Sequence, residues 1–244
     1  MKKPAAPRRA LDAELFPPFE GFPPEGLAFL RKLKNHNTRP WFTANKSQFE
    51  EFVKQPMQSF ISSIQHPMFA IAPEISVDAK KSMFRIYRDT RFSKDKTPYK
   101  THVAAVFHPS GHWESSAGFY VHIEPKRIYA GGGIYMPNGA QIKIIRRAIM
   151  DCEKEFLAIV RDKRFVRQFK GLEGEKLQRA PLGIPIDHPM IEWLKHKSFF
   201  TGVEWDVKEC ATGKFVDKVA RVYEDLLPLV RFLNDALFGS SSKE

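Results

Sequence analysis

Cysteine and long apolar runs are the scarcest features of this sequence of 244 residues. Its two cysteines, Cys152 and Cys210, lie far apart and fit no metal or dithiol spacing, so we expect neither a disulfide framework nor a cysteine metal site. No apolar run reaches the ~18 residues that a membrane span needs. No apolar stretch follows the basic residues near the N-terminus, which argues against a signal peptide. We therefore expect a cytoplasmic protein without a membrane partner.

The composition excludes several classes of protein. Hydrophobic residues make up 43% and charged residues 27%, which is typical of a globular protein and unlike collagen, a coiled coil or a wholly disordered chain. The length permits one large domain or two small ones, and we find no internal repeat and no convincing linker. We expect a single domain over residues 19–238, a disordered basic tail over residues 1–18 and a second disordered tail over residues 239–244.

Positive charge is in excess along the chain. The formal net charge is +11, and residues 80–102 hold eight basic residues against two acidic ones. Such an excess raises the affinity for phosphate polymers and acidic surfaces. It also suits a solvated surface that serves solubility alone, and the composition does not choose between these two interpretations.

Apolar periodicity predicts helices first, strands next and helices last. A helix is expected to begin at Pro23–Glu25, and a second near Arg39, with Pro67 and Pro73 at the ends of a loop. The strand candidates then follow at residues 82–87, 102–108, 117–124 and 127–135. A long helix from Pro137 to Val160 that buries Cys152, a strand near residues 199–206 and a last helix over residues 212–237 complete the chain. Short turns between strands favour an antiparallel sheet, so the predicted fold is α+β with helices packed on one face.

The densest chemistry lies in residues 85–99, at the end of a predicted strand and in the loop after it. Guanidinium groups bind phosphate or carboxylate through two parallel hydrogen bonds, and binding groups often collect in loops held by a rigid scaffold. We therefore predict a pocket for a small phosphate- or carboxylate-bearing ligand. Its candidate ligand-binding residues are Arg85, Arg88, Asp89, Arg91, Asp95, Lys96 and Tyr99.

Other functions remain open for the same residues. The arginines and aspartates can satisfy one another, in which case the segment is a salt-bridge brace in a structural or interaction module. In a catalytic version Asp89 or Asp95 would be a base or metal ligand, and Lys96 or an arginine would stabilise negative charge. A basic nucleic-acid-associated protein is a further alternative. Whether the protein is an enzyme stays open, and no catalytic residue is assigned.

The same segment carries a resemblance to a known family. Residues 85–99 resemble the hallmark of a bacterial and fungal family known as domain of unknown function 2461, and the similarity extends over about residues 19–238. It includes Phe19–Phe22, Asn35–Phe42 and Pro181–Pro189, where Ile184 stands in place of an expected aromatic residue. The resemblance implies no established activity, substrate or cofactor. It does imply that the matching polar residues form one site.

Further candidates are weaker. Gly131–Gly133 follow a strand, which suits close backbone packing better than a phosphate loop, because the spacing matches no nucleotide-binding motif. Four histidines lie in the strand region, but nothing in their spacing predicts a metal site, so we expect no metal and no cofactor. Asp187–Pro189 precede a short helix, and we expect Asp187 or His188 to cap it.

Overall fold

A helical layer opens the described part of the chain. The computed structural model describes residues 16–110, 112 and 115–239. The predicted tail over residues 1–18 lies mostly outside the described residues, as do residues 240–244, and the predicted domain boundaries stay a prediction. The first elements are α1 (Pro24–Asn35), α2 (Arg39–Ala44), α3 (Lys46–Phe49), a π-helical turn (Glu50–Lys54) and α4 (Gln55–Ile71).

Local sequence explains where these helices begin. Proline occupies the first turn of α1, where a missing N–H costs nothing, and Glu25 complements the helix dipole there. The prediction of a loop from Pro67 was wrong, because α4 continues through Pro67 to Ile71. Its apolar stripe, which ends in Met68, is buried on both sides of the proline, and this packing outweighs one lost backbone hydrogen bond.

A five-stranded antiparallel sheet follows, with its strands in sequence order. Antiparallel neighbours need only short connections, so the central three strands form a meander. The expected strand over residues 82–87 was wrong, because this segment forms no regular strand. It makes isolated bridges, from Met83 to Ala105 and from Tyr87 to Tyr99. The strands are β1 (Ile75–Ser76), β2 (Val103–Pro109), β3 (Gly118–Ile123), β4 (Ile128–Ile134) and β5 (Phe199–Trp205).

The remaining helices flank β5 in sequence. The expected long helix from Pro137 is divided at Cys152, which lies at the C-cap of one helix and the N-cap of the next. Cys152 is exposed, so the expected burial of this cysteine was wrong. Pro228 lies inside the last helix, as predicted. These helices are α5 (Gly139–Asp151), α6 (Glu153–Val160), α7 (Lys163–Phe169), α8 (Ile191–Leu194) and α9 (Phe215–Gly239), and a 3-10 turn spans Val207–Cys210.

One face of the sheet forms the core. Phe119, Val121 and Ile123 alternate along β3 and are fully buried, and α9 packs against β4 and β3 on this side. Tyr120 and His122 alternate with them and face the other way, where they are half-buried. The fold is therefore α+β as predicted, and the face opposite α9 is left to carry polar and aromatic side chains. Within the described residues, no helix has the length and apolar character needed to cross a membrane.

Candidate functional site

The segment that carries the charged motif is a closed loop at the edge of the sheet. The Arg88 backbone N–H donates to the carbonyl of Pro98 at 2.9 Å, and the Lys100 N–H donates to that of Ile86 at 2.8 Å. We call residues 88–98 the motif loop. Its two ends are tied together by backbone hydrogen bonds, so its side chains start from a fixed base.

Arg88 holds the two sides of the motif loop together. Its Nη1 donates to the Asp95 carboxylate and to the Thr97 hydroxyl, and 26% of its side chain is exposed. The Thr97 backbone N–H, followed by the Arg88 guanidinium, lowers the pKa of Asp95 to about 2. These contacts make Arg88 and Asp95 a brace across the loop.

A second ion pair lies farther out on the loop. Arg91 donates to the Asp89 carboxylate through Nη2 at 2.7 Å, and this contact lowers the pKa of Asp89 to about 2. Lys96 donates through Nζ to the carbonyl of Thr90 at 2.9 Å. All of these charged groups are exposed, so their pairing is weakened by solvent.

Tyr99 anchors the motif loop on the helical layer. Its ring is buried and stacked on Phe42, with centroids 4.1 Å apart and planes at 19°. The Asn37 side chain accepts a hydrogen bond from the Tyr99 N–H at 3.0 Å and donates one to the Tyr99 carbonyl at 2.9 Å. Two blocks that are separate in the sequence, residues 35–42 and residues 85–99, therefore meet in one place.

A large cavity lies elsewhere, on the sheet face opposite α9. It has a volume of about 750 Å³ and is lined mainly by aromatic side chains and glycines. We call it the open-face pocket. Its lining includes Phe84, Tyr120, His122, Tyr129, Gly131, Gly132, Gly133, Tyr135, Met136, Glu173, Phe200 and Glu204.

Glycines make the floor of the open-face pocket. Gly131 of β4 lies directly opposite Gly202 of β5, and the Tyr129 ring lies over both. A Cβ at Gly202 would lie 2.5 Å from the Ala130 carbonyl oxygen and 2.6 Å from the Tyr129 hydroxyl. The predicted role of the glycines at 131–133 in close packing within a strand is therefore confirmed.

Burial shifts the proton affinity of the polar groups around this floor. The Tyr129 hydroxyl lies 3.3 Å from Oε2 of Glu173, and burial followed by that carboxylate raises the pKa of Tyr129. Glu173 also accepts from the Gly202 backbone N–H at 2.9 Å, which fixes it at the wall of the pocket. Burial lowers the pKa of His102, whose ring centroid lies 5.6 Å from that of His122, to about 4. The face therefore holds neutral hydrogen-bonding groups near pH 7.

Lys100 connects the open-face pocket to the motif segment. Its Nζ lies 4.9 Å from the centroid of Phe84, which lines the pocket, and donates to the carbonyl of Arg85 at 2.9 Å. Burial and then the nearby Arg85 charge lower the pKa of Lys100. The side chain of Arg85 is exposed and makes no hydrogen bond or ion pair within the described residues. Lys100 thus lies against a ring of the pocket with the Arg85 charge nearby, and neither cation forms an ion pair with a carboxylate in that part of the chain, although the Arg85 charge also contributes to the lowered pKa of Asp89.

The structure gives six of the seven predicted ligand residues one of three roles. Arg88, Asp95 and Tyr99 fix the motif loop, Asp89 and Arg91 pair on its surface, and Lys96 bonds to its backbone. Arg85 alone among them has no side-chain hydrogen bond or ion pair in the described residues, and it follows Phe84, which lines the open-face pocket. The polar residues of the pocket itself were missed, although the alternation along β3 placed Tyr120 and His122 on one face.

Comparison with known proteins gives the family. A family model described as a conserved hypothetical protein (DUF2461) matches residues 25–232. The chain belongs to this family. The DUF2461 match spans the motif loop and every element of the sheet, so both regions are parts of the family domain. A comparison with curated proteins found no match.

The weaker candidates of this DUF2461 chain have structural roles or no partner set. The expected cap of α8 by Asp187 or His188 was wrong, because Met190 occupies the N-cap position and no side chain caps the helix; Nδ1 of His188 accepts a hydrogen bond from the Met190 N–H at 3.1 Å, in the turn before it. In the part of the chain that the structure describes, no three histidine, cysteine or acidic side chains converge as a metal site.

Proposed function

We propose that the protein binds a small ligand that carries a phosphate or carboxylate group. The anionic group lies against Arg85 and Lys100, and the body of the ligand lies in the open-face pocket. The observation that carries this proposal is the pair of adjacent cations beside an aromatic cavity. In the described residues neither cation forms a salt bridge with a carboxylate, although the Arg85 charge contributes to the lowered pKa of Asp89.

Charge favours an anion at this place. The positive charge of Arg85 lowers the pKa of Lys100, which means that the two cations repel each other in the empty site. A phosphate or carboxylate between them would replace repulsion by two attractions, and a guanidinium can bind either group through two parallel bonds. Lys100 is half-buried, so its charge is screened less than those on the motif loop.

The open-face pocket suits the body of such a ligand. Its volume of about 750 Å³ falls in the range of ~300–1,000 Å³ that small-molecule pockets span. Aromatic rings and glycine backbone give apolar contact, while the tyrosines and Glu173 supply a few hydrogen-bonding groups. A ligand that carries a hydroxyl or carbonyl group beyond its anionic end would use both kinds of surface.

The other motif residues support the site in this proposal. Arg88 and Asp95 brace the motif loop, and Tyr99 fixes it to the helical layer, so Arg85 is presented from a rigid base. Asp89, Arg91 and Lys96 stand at the exposed end of the loop, where they would contact only a larger ligand.

A thermal-shift panel on the full chain tests the proposal. The probes are inorganic phosphate, glycerol 3-phosphate, sugar phosphates, nucleotides, di- and tricarboxylates and short oligonucleotides. A ligand at 100 times its Kd should raise the Tm of the wild type by roughly 5–11 °C. We expect Lys100→Met and Arg85→Met each to weaken binding at least tenfold.

The matched control is Lys94→Met, which removes the same charge from an exposed position on the motif loop. It should leave the Kd within about threefold, as expected for a screened surface charge. Equal losses in Lys94→Met and Lys100→Met would mean that only the general positive charge attracts the ligand. If oligonucleotides bind, lose equal affinity in the two variants and bind with a steep salt dependence, the nucleic-acid alternative is favoured.

The brace alternative is favoured by one observation, the set of contacts made by Arg88. If no probe stabilises the wild type while Arg88→Ala melts lower, the charged motif is a structural brace and no more. The ligand site proposed here needs the opposite pattern, in which Lys100→Met folds normally and loses the ligand.

A further inference from the structure

Three polar side chains stand in line along β3 on the open face. Tyr120 and His122 are alternate residues of β3, which point to the same side, and Glu124 directly follows the end of the strand at the next alternate position. Nδ1 of His122 lies 3.2 Å from the Tyr120 hydroxyl, and Nε2 of His122 lies 3.1 Å from Oε1 of Glu124. The three groups therefore touch in the order in which the strand presents them.

Donor and acceptor chemistry fixes the direction of these contacts. A phenol is the donor to a neutral imidazole, so Nδ1 of His122 accepts from Tyr120 and Nε2 carries the ring proton. That N–H faces the Glu124 carboxylate but is out of line for a hydrogen bond, and Nε2 is buried without another hydrogen-bond partner. A small rotation of the glutamate completes the bond, which an unsatisfied buried donor favours.

We propose that Tyr120, His122 and Glu124 form a proton relay that makes the open-face pocket an acid–base catalytic site. Tyr120 and His122 line the pocket, so Tyr120 is the residue that touches the ligand. The substrate class is a hydroxyl- or carbonyl-bearing phosphate or carboxylate, and this class rests on the proposed function above.

The proton transfer balances without another reagent. A ligand hydroxyl gives its proton to the Tyr120 oxygen while the Tyr120 proton moves to Nδ1 of His122. The ligand is left as an alkoxide, and the imidazolium is stabilised by the Glu124 carboxylate. In the reverse direction Tyr120 donates to a carbonyl or alkoxide oxygen and regains its proton from His122. Glu124 is a positioning residue in both directions.

The surroundings set the resting state of the relay. Burial lowers the pKa of His122 and Glu124 opposes this, while burial and then Glu124 raise the pKa of Tyr120 to about 12. Near pH 7 the phenol is therefore protonated and the imidazole neutral. The other charged or titratable groups that face His122 are Arg127, Glu204, His102 and Tyr129, whose ring is stacked on the imidazole at 5.7 Å.

Nitrogen NMR of the full chain with labelled histidines tests the relay, and His122→Asn assigns the signals. We expect the Nε2–H tautomer for His122. Glu124→Gln should lower the pKa of His122, because the attraction of the carboxylate for the imidazolium is lost. Tyr120→Phe should raise it, because the donor that favours the neutral ring is lost. Glu175→Gln, which removes an exposed carboxylate elsewhere, is the matched control and should leave His122 unchanged.

Shifts of opposite sign are the signature of a phenol that donates to Nδ1 of His122 and a carboxylate that faces its Nε2, which is the arrangement the relay requires. The Nδ1–H tautomer, or shifts of the same sign in Glu124→Gln and Tyr120→Phe, would overturn the relay. Both variants are close in shape to the wild type, and native dispersion of the remaining histidine signals verifies their fold. Because the experiment needs no ligand, its failure differs from failure of the proposed function, which appears as the absence of any stabilising probe.

Discussion

The motif loop and the open-face pocket treat polar groups in opposite ways. On the loop, Asp89 and Arg91 are exposed and paired, and solvent screens their attraction. On the sheet face, Tyr129 and His102 are half-buried and their proton affinities are displaced by the loss of water. Charge density alone therefore does not locate the strongest chemistry in this molecule. The polar groups on the sheet face are partly removed from water, and this desolvation strengthens their electrostatic interactions.

Lys100 stands at the boundary between the two regions. It follows the motif in sequence, yet its ammonium group lies over the ring of Phe84, at the edge of the pocket. In the function proposed above, the loop supplies rigidity and the sheet supplies the binding surface. Four experiments can break or refine this division.

Acidification should give the largest loss in the free energy of unfolding, and the first groups to titrate should be histidines of the sheet. The pKa values of His102 and His108 are lowered by burial from 6.5 to about 4. Between pH 6.5 and about 4 these histidines are protonated in the unfolded chain but remain neutral in the folded protein. The free energy of unfolding therefore falls as the pH falls through this range. Each such histidine contributes about 3 kcal/mol to this fall.

Urea denaturation at several pH values measures this fall. His102→Gln should flatten the slope between pH 6.5 and 4, whereas His36→Gln, at an exposed position, should not. The loop carboxylates Asp89 and Asp95 have pKa values lowered from 3.8 to about 2, so their contribution is lost only below pH 4. A stability curve that is flat down to pH 4 would contradict the burial of the sheet histidines.

Filling the floor of the pocket should come next. In Gly202→Ala the new methyl group meets the Ala130 carbonyl and the Tyr129 ring, and backbone cannot yield as a flexible side chain can. We expect a loss of about 1–3 kcal/mol in the free energy of unfolding. Gly139→Ala is the matched control, since nothing lies within 4 Å of its added Cβ. Equal stability of the two variants would mean that the floor is not closely packed.

Removing the brace should have a moderate effect. Arg88→Ala should lower the Tm by about 2–4 °C, since the pair with Asp95 is partly exposed and its strength is reduced by solvent. Arg91→Ala removes an equal charge from a more exposed pair and should leave the Tm unchanged within about 1 °C. If the two variants melt alike, Arg88 does not brace the loop.

The smallest effect is expected at the tip of the loop. The side chain of Phe92 is 95% exposed, so Phe92→Ser should change the free energy of unfolding by less than about 0.5 kcal/mol. Calorimetry on the full chain measures it. A clear loss of stability would show that the loop folds back onto the protein in solution, and the separation of the two regions would then fail.

Much of the fold was accessible from the sequence, because periodicity reports burial directly. The strands around Val121 and the stripe of α9 were placed to within a few residues. The failures were at Pro67, where packing overrides the cost of a helical proline, and at Cys152, where a helix breaks without glycine or proline to signal it.

The site was less accessible, because it depends on which residues lose water. The sequence shows the charged motif, but no pattern in it predicts that Arg88 braces the loop while the Arg85 side chain makes no such contact. Glu173 reaches the pocket from a loop that is 44 residues from Tyr129 in sequence. Contacts of that kind follow from the tertiary fold and leave no local signal.

The sequence order of the strands bears on how the pocket is assembled during folding. Tyr120 and Tyr129 belong to one meander, residues 103–134, whose hairpins pair neighbours close in sequence and can form early. The segments that carry Glu173 and Phe200 lie farther along the chain, so a longer loop must close before they pack against the meander. A folding intermediate with the meander formed would therefore expose the glycine floor and its aromatic rings together, and it would be the species most prone to aggregate.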